Sequence, residues 1–272
     1  MQVLAAVIGN PVDHSLSPAL HRHWLNKNEI SGHYIPIRVT VDNFATALES
    51  LARLGFCGVN VTVPHKEAAL SLADHASSTA RSIGAANMLT FSDDGIIAEN
   101  TDAFGFTWNL LETRPDWQPR RAALLGAGGA SRAVTAALID RGAQEILVSN
   151  RSEARTRQLV EDFGTSLRPV SWHDRHAMLA NCDTLINATS LGMIDKPALD
   201  ICLDDLPADA LVTDLVYSPL ETPLLAAARR RGNPAVDGLG MLLHQAVPAF
   251  ASWFGVTPKV DQSLRETILG QK

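Results

Sequence analysis

Apolar and polar positions alternate along this chain in a regular way. Short apolar runs end in glycine or small polar residues, and stretches with helical periodicity follow them. Val3 to Ile8 stops at Gly9-Asn10-Pro11, and a helix is expected from Ser17 to about Asn28. His33 to Val39 leads into a helix over Val41 to Leu54, and Gly58 to Val63 into one that Pro64 opens and Ala73 closes. Two β-prone runs around Asp93-Asp94-Gly95 predict a hairpin. Further runs at Ala122–Leu125, Glu145–Val148, Thr184–Ala188 and Ala210–Val216 are separated by helix-forming segments such as Arg132–Asp140 and Thr222–Arg231. This alternation predicts an α/β protein, with one doubly wound parallel sheet from Ala122 to about Val236. Arg114 to Arg121, with two prolines and mixed charge, reads as a linker and a domain boundary.

The run at Ala122 carries the strongest chemical signal. Leu125-Gly126-Ala127-Gly128-Gly129-Ala130-Ser131 places a glycine turn between a strand and a helix, with another strand beyond. That order suits a dinucleotide: Gly126 permits the turn, Gly128 lets backbone approach a pyrophosphate, and the helix N-terminus offers N–H groups to it. Ser131 replaces the usual third glycine and is small enough for helix and strand to pack closely. At the end of the following strand stand Asn150, Arg151, Ser152 and Arg155. An acid at this place would serve the ribose 2′-hydroxyl of NAD, whereas Arg151 suits the 2′-phosphate of NADP.

Other strand ends carry polar groups where α/β sheets bind ligands. Ser15 and Ser17 precede a helix with Pro18 in its first turn, and Ser17 reads as its N-cap, a place that can hold an anion such as a carboxylate. Asn60, Thr62 and Lys66 cluster at the end of the Gly58–Val63 strand, and a lysine in a first helical turn gains nothing from the helix dipole. Asp102 reads as a helix cap. Gly238 and Gly240 allow close backbone approach to a ligand, and Gln245 is polar within an apolar helix.

Composition narrows the function classes. The 272 residues are 46% hydrophobic and 19% charged, enough for one large or two ordinary domains. A net charge of −6 with dispersed basic residues argues against nucleic acid. Three separated cysteines suit a reducing compartment, and no run approaches transmembrane length, so a cytoplasmic protein is expected. The close pairs His21/His23 and His173/His176 lack a third ligand, so no metal is expected.

Taken together, the motifs resemble the shikimate dehydrogenase family over nearly the whole chain. The resemblance rests on His14-Ser15-Leu16-Ser17-Pro18, Asn60-Val61-Thr62-Val63-Pro64-His65-Lys66, Asn100-Thr101-Asp102, the glycine loop, Asn150-Arg151-Ser152, Asn187-Ala188-Thr189-Ser190-Leu191-Gly192-Met193 and Gly238-Leu239-Gly240-Met241-Leu242-Leu243-His244-Gln245. It implies two α/β domains across a cleft, the second Rossmann-like: residues 1–102 with 241–272 for substrate, and 103–240 for NADP. It further implies reversible reduction of 3-dehydroshikimate to shikimate, a step toward chorismate and the aromatic amino acids, by a monomer or homodimer. Ser15 and Ser17 would hold the carboxylate, while Asn60, Thr62, Asn87, Tyr217 and Gln245 would contact the rest of the substrate. Gly126, Ala127, Gly128, Gly129 and Ala130 would cradle the pyrophosphate, Asn150, Arg151, Ser152 and Arg155 the 2′-phosphate, and Ala188, Thr189, Gly238 and Met241 the nicotinamide. Lys66 and Asp102 would be the catalytic acid–base pair. A quinate/shikimate dehydrogenase with broader substrate use, and an NADP sensor without catalysis, are the alternative readings. An intact Lys66 and Asp102 speak against the sensor.

Overall fold

The computed structural model describes residues 2–271. The chain forms two compact units, Met1–Thr101 with Leu243–Lys272, and Asp102–Leu242. In the first, β1 (Val3–Gly9) leads through α1 (Ser17–Lys27) to β2 (Gly32–Arg38), then through a short 3-10 turn and α2 (Phe44–Arg53) to β3 (Phe56–Val61). There follow α3 (Lys66–Ser71), β4 (His75–Ala76), α4 (Ser78–Ile83), β5 (Met88–Ser92) and β6 (Gly95–Glu99). The strands make one six-stranded sheet in the order β2-β1-β3-β5-β6-β4. β1 lies parallel to β2 and β3, while β5 runs antiparallel to both β3 and β6, so the sheet is mixed. The hairpin turns at Asp93-Asp94-Gly95, where Gly95 has φ +109°.

This registry gathers polar residues at one end of the sheet. Ile8 pairs with Val61 and Asn60 with Met88, which in turn pairs with Glu99. The exits of β1, β3 and β6 and the entry to β5 therefore share an edge, where Thr62, Asn87, Asn100 and Thr101 all lie.

The second unit opens with α5 (Asp102–Thr113). It continues as β7 (Arg121–Leu125), α6 (Gly129–Asp140), β8 (Glu145–Ser149), α7 (Glu153–Phe163), β9 (Leu167–Val170), β10 (Thr184–Asn187), β11 (Leu211–Asp214), α8 (Pro223–Arg231) and β12 (Ala235–Val236). Its sheet has the order β12-β11-β10-β7-β8-β9, and every pairing is parallel. Strands buried on both faces need apolar side chains throughout, and Ala122 to Leu125 of central β7 are all fully buried. One face packs Val134, Leu138 and Phe106, the other Leu179, Leu206 and Leu225. Strand order reverses between β7 and β10, and the glycine turn leaves β7 at that switch point, the usual place for a ligand in such sheets.

The stretch Arg114 to Arg121 is not a boundary. It lies inside the second unit, because Trp117 is buried in that core and its indole N–H donates to Thr184 Oγ1 at 3.1 Å. The chain leaves this unit within α9 (Leu239–His244) and adds α10 (Ala246–Phe254) and α11 (Gln262–Leu269) to the first. There the Trp253 indole covers Gly58, where any β-carbon would collide with it, and donates to Thr90 Oγ1 at 3.1 Å. The Trp24 indole of α1 donates to the Lys259 carbonyl at 3.0 Å.

Candidate active site

In the first unit three of the expected substrate residues, Asn60, Asn87 and Gln245, join one hydrogen-bonded cluster with Tyr34 and Thr101. Ser17 is not the N-cap of α1; Leu16 holds that place, and the Ser17 N–H donates to Ser15 Oγ at 3.3 Å. Ser17 is buried, with its backbone bonded by Ser15. The Tyr34 hydroxyl donates to Asn60 Oδ1 at 2.8 Å, and Asn60 Nδ2 donates to the Asn87 carbonyl at 3.1 Å. Asn87 is held by Thr101, whose N–H donates to Asn87 Oδ1 at 2.8 Å, and its Nδ2 donates to Gln245 Oε1 at 3.4 Å. Gln245 sits at the break between α9 and α10, which points it to this edge. Asn100 Nδ2 donates to the Ala85 carbonyl at 2.9 Å and pins the entry to β5.

Lys66 comes to the same edge by a turn. Pro64 does not open the helix; His65 N–H donates to the Thr62 carbonyl at 3.0 Å, so α3 starts two residues later, at Lys66. His65 anchors this turn, with Nε2 2.7 Å from the Val39 carbonyl and its ring stacked on Phe44 at 4.5 Å. Asp102 is the first residue of α5 rather than its cap and belongs to the second unit.

His21 and His23 do not face one another's ligands. His21 is fully buried among Trp24, Tyr34, Phe250, Trp253 and Phe254, and burial pulls its imidazole down to about 3. His23 faces α11, with Nδ1 3.0 Å from Thr267 Oγ1.

In the second unit the glycine loop has the form a dinucleotide needs. Gly126 adopts φ +112°, and a β-carbon there would lie 2.9 Å from the Ala188 carbonyl oxygen. Gly128 and Gly129 instead face open space, room that a β-carbon would begin to fill. The helix starts at Gly129, three residues before the expected Arg132, so Ala130 and Ser131 lie in its first turn. Ser131 therefore does more than pack: its Oγ accepts from the Gly128 N–H at 3.2 Å and closes that turn. Beyond β8, Asn150 Nδ2 donates to the Ser152 carbonyl at 3.0 Å, Ser152 is the N-cap of α7, and Arg151, Ser152 and Arg155 are exposed. Open backbone at Gly128 and exposed cations after β8 fit a phosphate-rich dinucleotide.

Gly238 and Gly240 each lie where another part of the chain comes close. A β-carbon on Gly238 would collide with the Leu215 carbonyl, and one on Gly240 with the Asn109 amide, so both glycines make room for the chain itself. Asn109 Nδ2 donates to the Asp237 carbonyl at 2.7 Å, which fixes this crossing. Met241 and Ala188 both pack against the core of this unit.

Sequence reasoning overlooked Asp214, although an acid closing an apolar strand was a signal. It is fully buried, and Oδ1 accepts from Asn187 Nδ2 at 2.9 Å and Val216 N–H at 3.0 Å, while Oδ2 accepts from Thr222 Oγ1 at 2.7 Å. Asn187 Oδ1 in turn accepts from Thr189 Oγ1 at 2.7 Å, so the turn carrying Ala188 and Thr189 hangs on this carboxylate. Tyr217 follows on the same loop, its phenol pushed up by burial. Burial raises the Asp214 carboxyl from 3.8 to about 6, against the three donors. Between those values the folded chain keeps a proton that the unfolded chain releases. The stability linked to that proton is present below about pH 4 and is lost as pH rises through 6. In urea melts, the stability of wild type relative to Asp214→Asn should fall by about 2 kcal/mol from pH 4 to pH 7. A constant difference would show that Asp214 does not titrate in this range.

Family models match three consecutive parts of the chain. They are the shikimate dehydrogenase substrate binding domain at residues 7–89, shikimate / quinate 5-dehydrogenase at 110–203, and the shikimate 5′-dehydrogenase C-terminal domain at 238–262. The shikimate dehydrogenase (NADP(+)) of Dinoroseobacter shibae is 51% identical over 98% of both chains. The chain belongs to the shikimate dehydrogenase family. The shikimate dehydrogenase (NADP(+)) of Cereibacter sphaeroides ATCC 17025 is 52% identical, covering 98% of this chain and 96% of its own. Among solved structures, shikimate 5-dehydrogenase from Thermus thermophilus in complex with NADP(H) and shikimate matches with TM-score 0.88, 36% identity and 100% coverage of both chains. Quinate dehydrogenase from Corynebacterium glutamicum in complex with NAD matches with TM-score 0.92, 32% identity and 99% coverage of both.

Proposed function

We propose that this enzyme catalyses the reversible, NADP-dependent reduction of 3-dehydroshikimate to shikimate. The observation that carries the reading is full-length identity of about half to relatives bearing the name shikimate dehydrogenase (NADP(+)). The residues support it unit by unit. Ser15 and Ser17 present hydroxyls at the start of α1 to a carboxylate, and Asn60, Thr62, Asn87 and Gln245 line the sheet edge with groups matched to ring hydroxyls. Tyr217, on the loop after β11, is the further residue proposed to contact the substrate.

The glycine loop from Gly126 to Ala130 holds the pyrophosphate, Asn150, Arg151, Ser152 and Arg155 take the 2′-phosphate, and Ala188, Thr189, Gly238 and Met241 border the nicotinamide. When bound, the reduced dinucleotide supplies a hydride to the ketone carbon. The chain's own task is the proton on the ketone oxygen. Lys66 gives that proton as the hydroxyl forms and takes it back in the reverse direction, and Asp102 accepts a hydrogen bond from the same hydroxyl.

The quinate dehydrogenase neighbour, solved with NAD, makes substrate and cofactor choice the property to test. Purified protein with shikimate or quinate, each with NADP or NAD, should form reduced nicotinamide fastest with shikimate and NADP. Faster turnover of quinate with NAD would overturn the proposed specificity, and no turnover with any pair would overturn the assignment as an enzyme of this reaction.

A further inference from the structure

We propose that Tyr34 is the positioning residue of the substrate cluster, its buried hydroxyl setting which way the Asn60 amide faces. This rests on the substrate reading above and adds a residue that no motif contains. The argument begins with proton counting. A phenol has one proton, and Tyr34 spends it on Asn60 Oδ1 at 2.8 Å. The Ser17 side chain lies near the phenol and eases its ionisation slightly, against the larger effect of burial. Burial pushes the Tyr34 phenol well above its ordinary range, so the proton stays in place.

The direction of this relay decides what Asn60 can offer. Its Oδ1 is occupied by Tyr34, and one Nδ2 proton goes to the Asn87 carbonyl at 3.1 Å. The remaining Nδ2 proton makes Asn60 a donor, suited to a ligand oxygen that accepts. Without the phenol proton the amide could flip and present its oxygen instead. The expected carboxylate side of the cluster stands beside it, where the Ser17 N–H donates to Ser15 Oγ at 3.3 Å.

The tyrosine is held firmly enough to impose this order. Its ring stacks on His21 with centroids 3.8 Å apart and planes within 5°, and Trp253 lies 6.4 Å away. His21 is buried and uncharged, so it contributes a flat apolar surface to the stack.

Tyr34→Phe keeps the stack and removes the relay. Expected in steady-state assays is a KM for shikimate raised about 10-fold, with kcat within about threefold of wild type and KM for NADP within about twofold. Because Tyr34 acts partly through Asn60, adding Tyr34→Phe to Asn60→Ala should raise KM by less than about threefold further. A Tyr34→Phe KM within twofold of wild type, or effects that multiply fully, would overturn the proposal, since a merely structural tyrosine lowers stability without this pattern. Wild-type protein inactive on shikimate would instead remove the substrate assignment. The relay is then read by NMR of the Asn60 side-chain amide, one sharp pair in wild type that shifts or broadens in Tyr34→Phe. An unchanged pair would overturn it.

Discussion

Lys66→Ala lowers kcat by about 10²–10⁴-fold, the range for losing one general acid–base group, while KM for shikimate changes no more than a few-fold. The backbone around Lys66 is fixed independently of its side chain. His65 is pinned to Val39 and Phe44, and the Lys66 carbonyl accepts from the Ala86 N–H at 2.9 Å. A cation in the first turn of α3 opposes the helix dipole, and alanine is the better helix former, so the substitution does not weaken the helix itself. Turnover is therefore the quantity that moves. Steady-state kinetics in both directions check this, alongside a thermal melt showing the variant folded. A kcat within tenfold of wild type would remove Lys66 as the proton carrier.

Arg151→Ala raises KM for NADP roughly 10–100-fold and leaves KM for NAD within about twofold. The side chain is exposed and makes no ion pair among the described residues, so the protein loses no structural contact. The Asn150 bond to Ser152 shapes the turn without it. In the proposed role, what disappears is a charge-assisted hydrogen bond to the 2′-phosphate, a contact worth about 1.5–3 kcal/mol. NAD lacks that phosphate, so the two cofactors separate the phosphate role from a general effect on the fold. Equal losses with NADP and NAD would contradict it.

Local chemistry was legible in the sequence, and partner choice was not. The glycine turn after Leu125, the hairpin at Asp93-Asp94-Gly95 and the polar residues ending β3 all show in periodicity and turn residues, which act over a few positions. Tyr34 sits in an ordinary strand, and its partner Asn60 is 26 positions away, so nothing local marks it. Ser17 looked like a cap because serine before Pro18 often is one. Leu16 takes that place instead, and the Ser17 N–H goes to Ser15 Oγ. Gly238 and Gly240 carry the same lesson. Missing side chains announce a close approach, but not that Leu215 and Asn109 would be what approaches. The two prolines near Trp117 suggested a linker, and one indole in the core overrode them.

The first unit is sewn from both ends of the chain, and this sets the order in which the protein becomes complete during synthesis. Chains emerge N-terminus first, and domains generally fold as they emerge. Here residues 102–242 have all been made while the first sheet still lacks Trp253 over Gly58 and Lys259 beneath Trp24. The nascent first hundred residues must wait with an uncovered apolar face until the last thirty arrive. The part translated earliest is thus the part finished last, and a ribosome that stalls after Leu242 releases a whole dinucleotide unit attached to an unfinished partner.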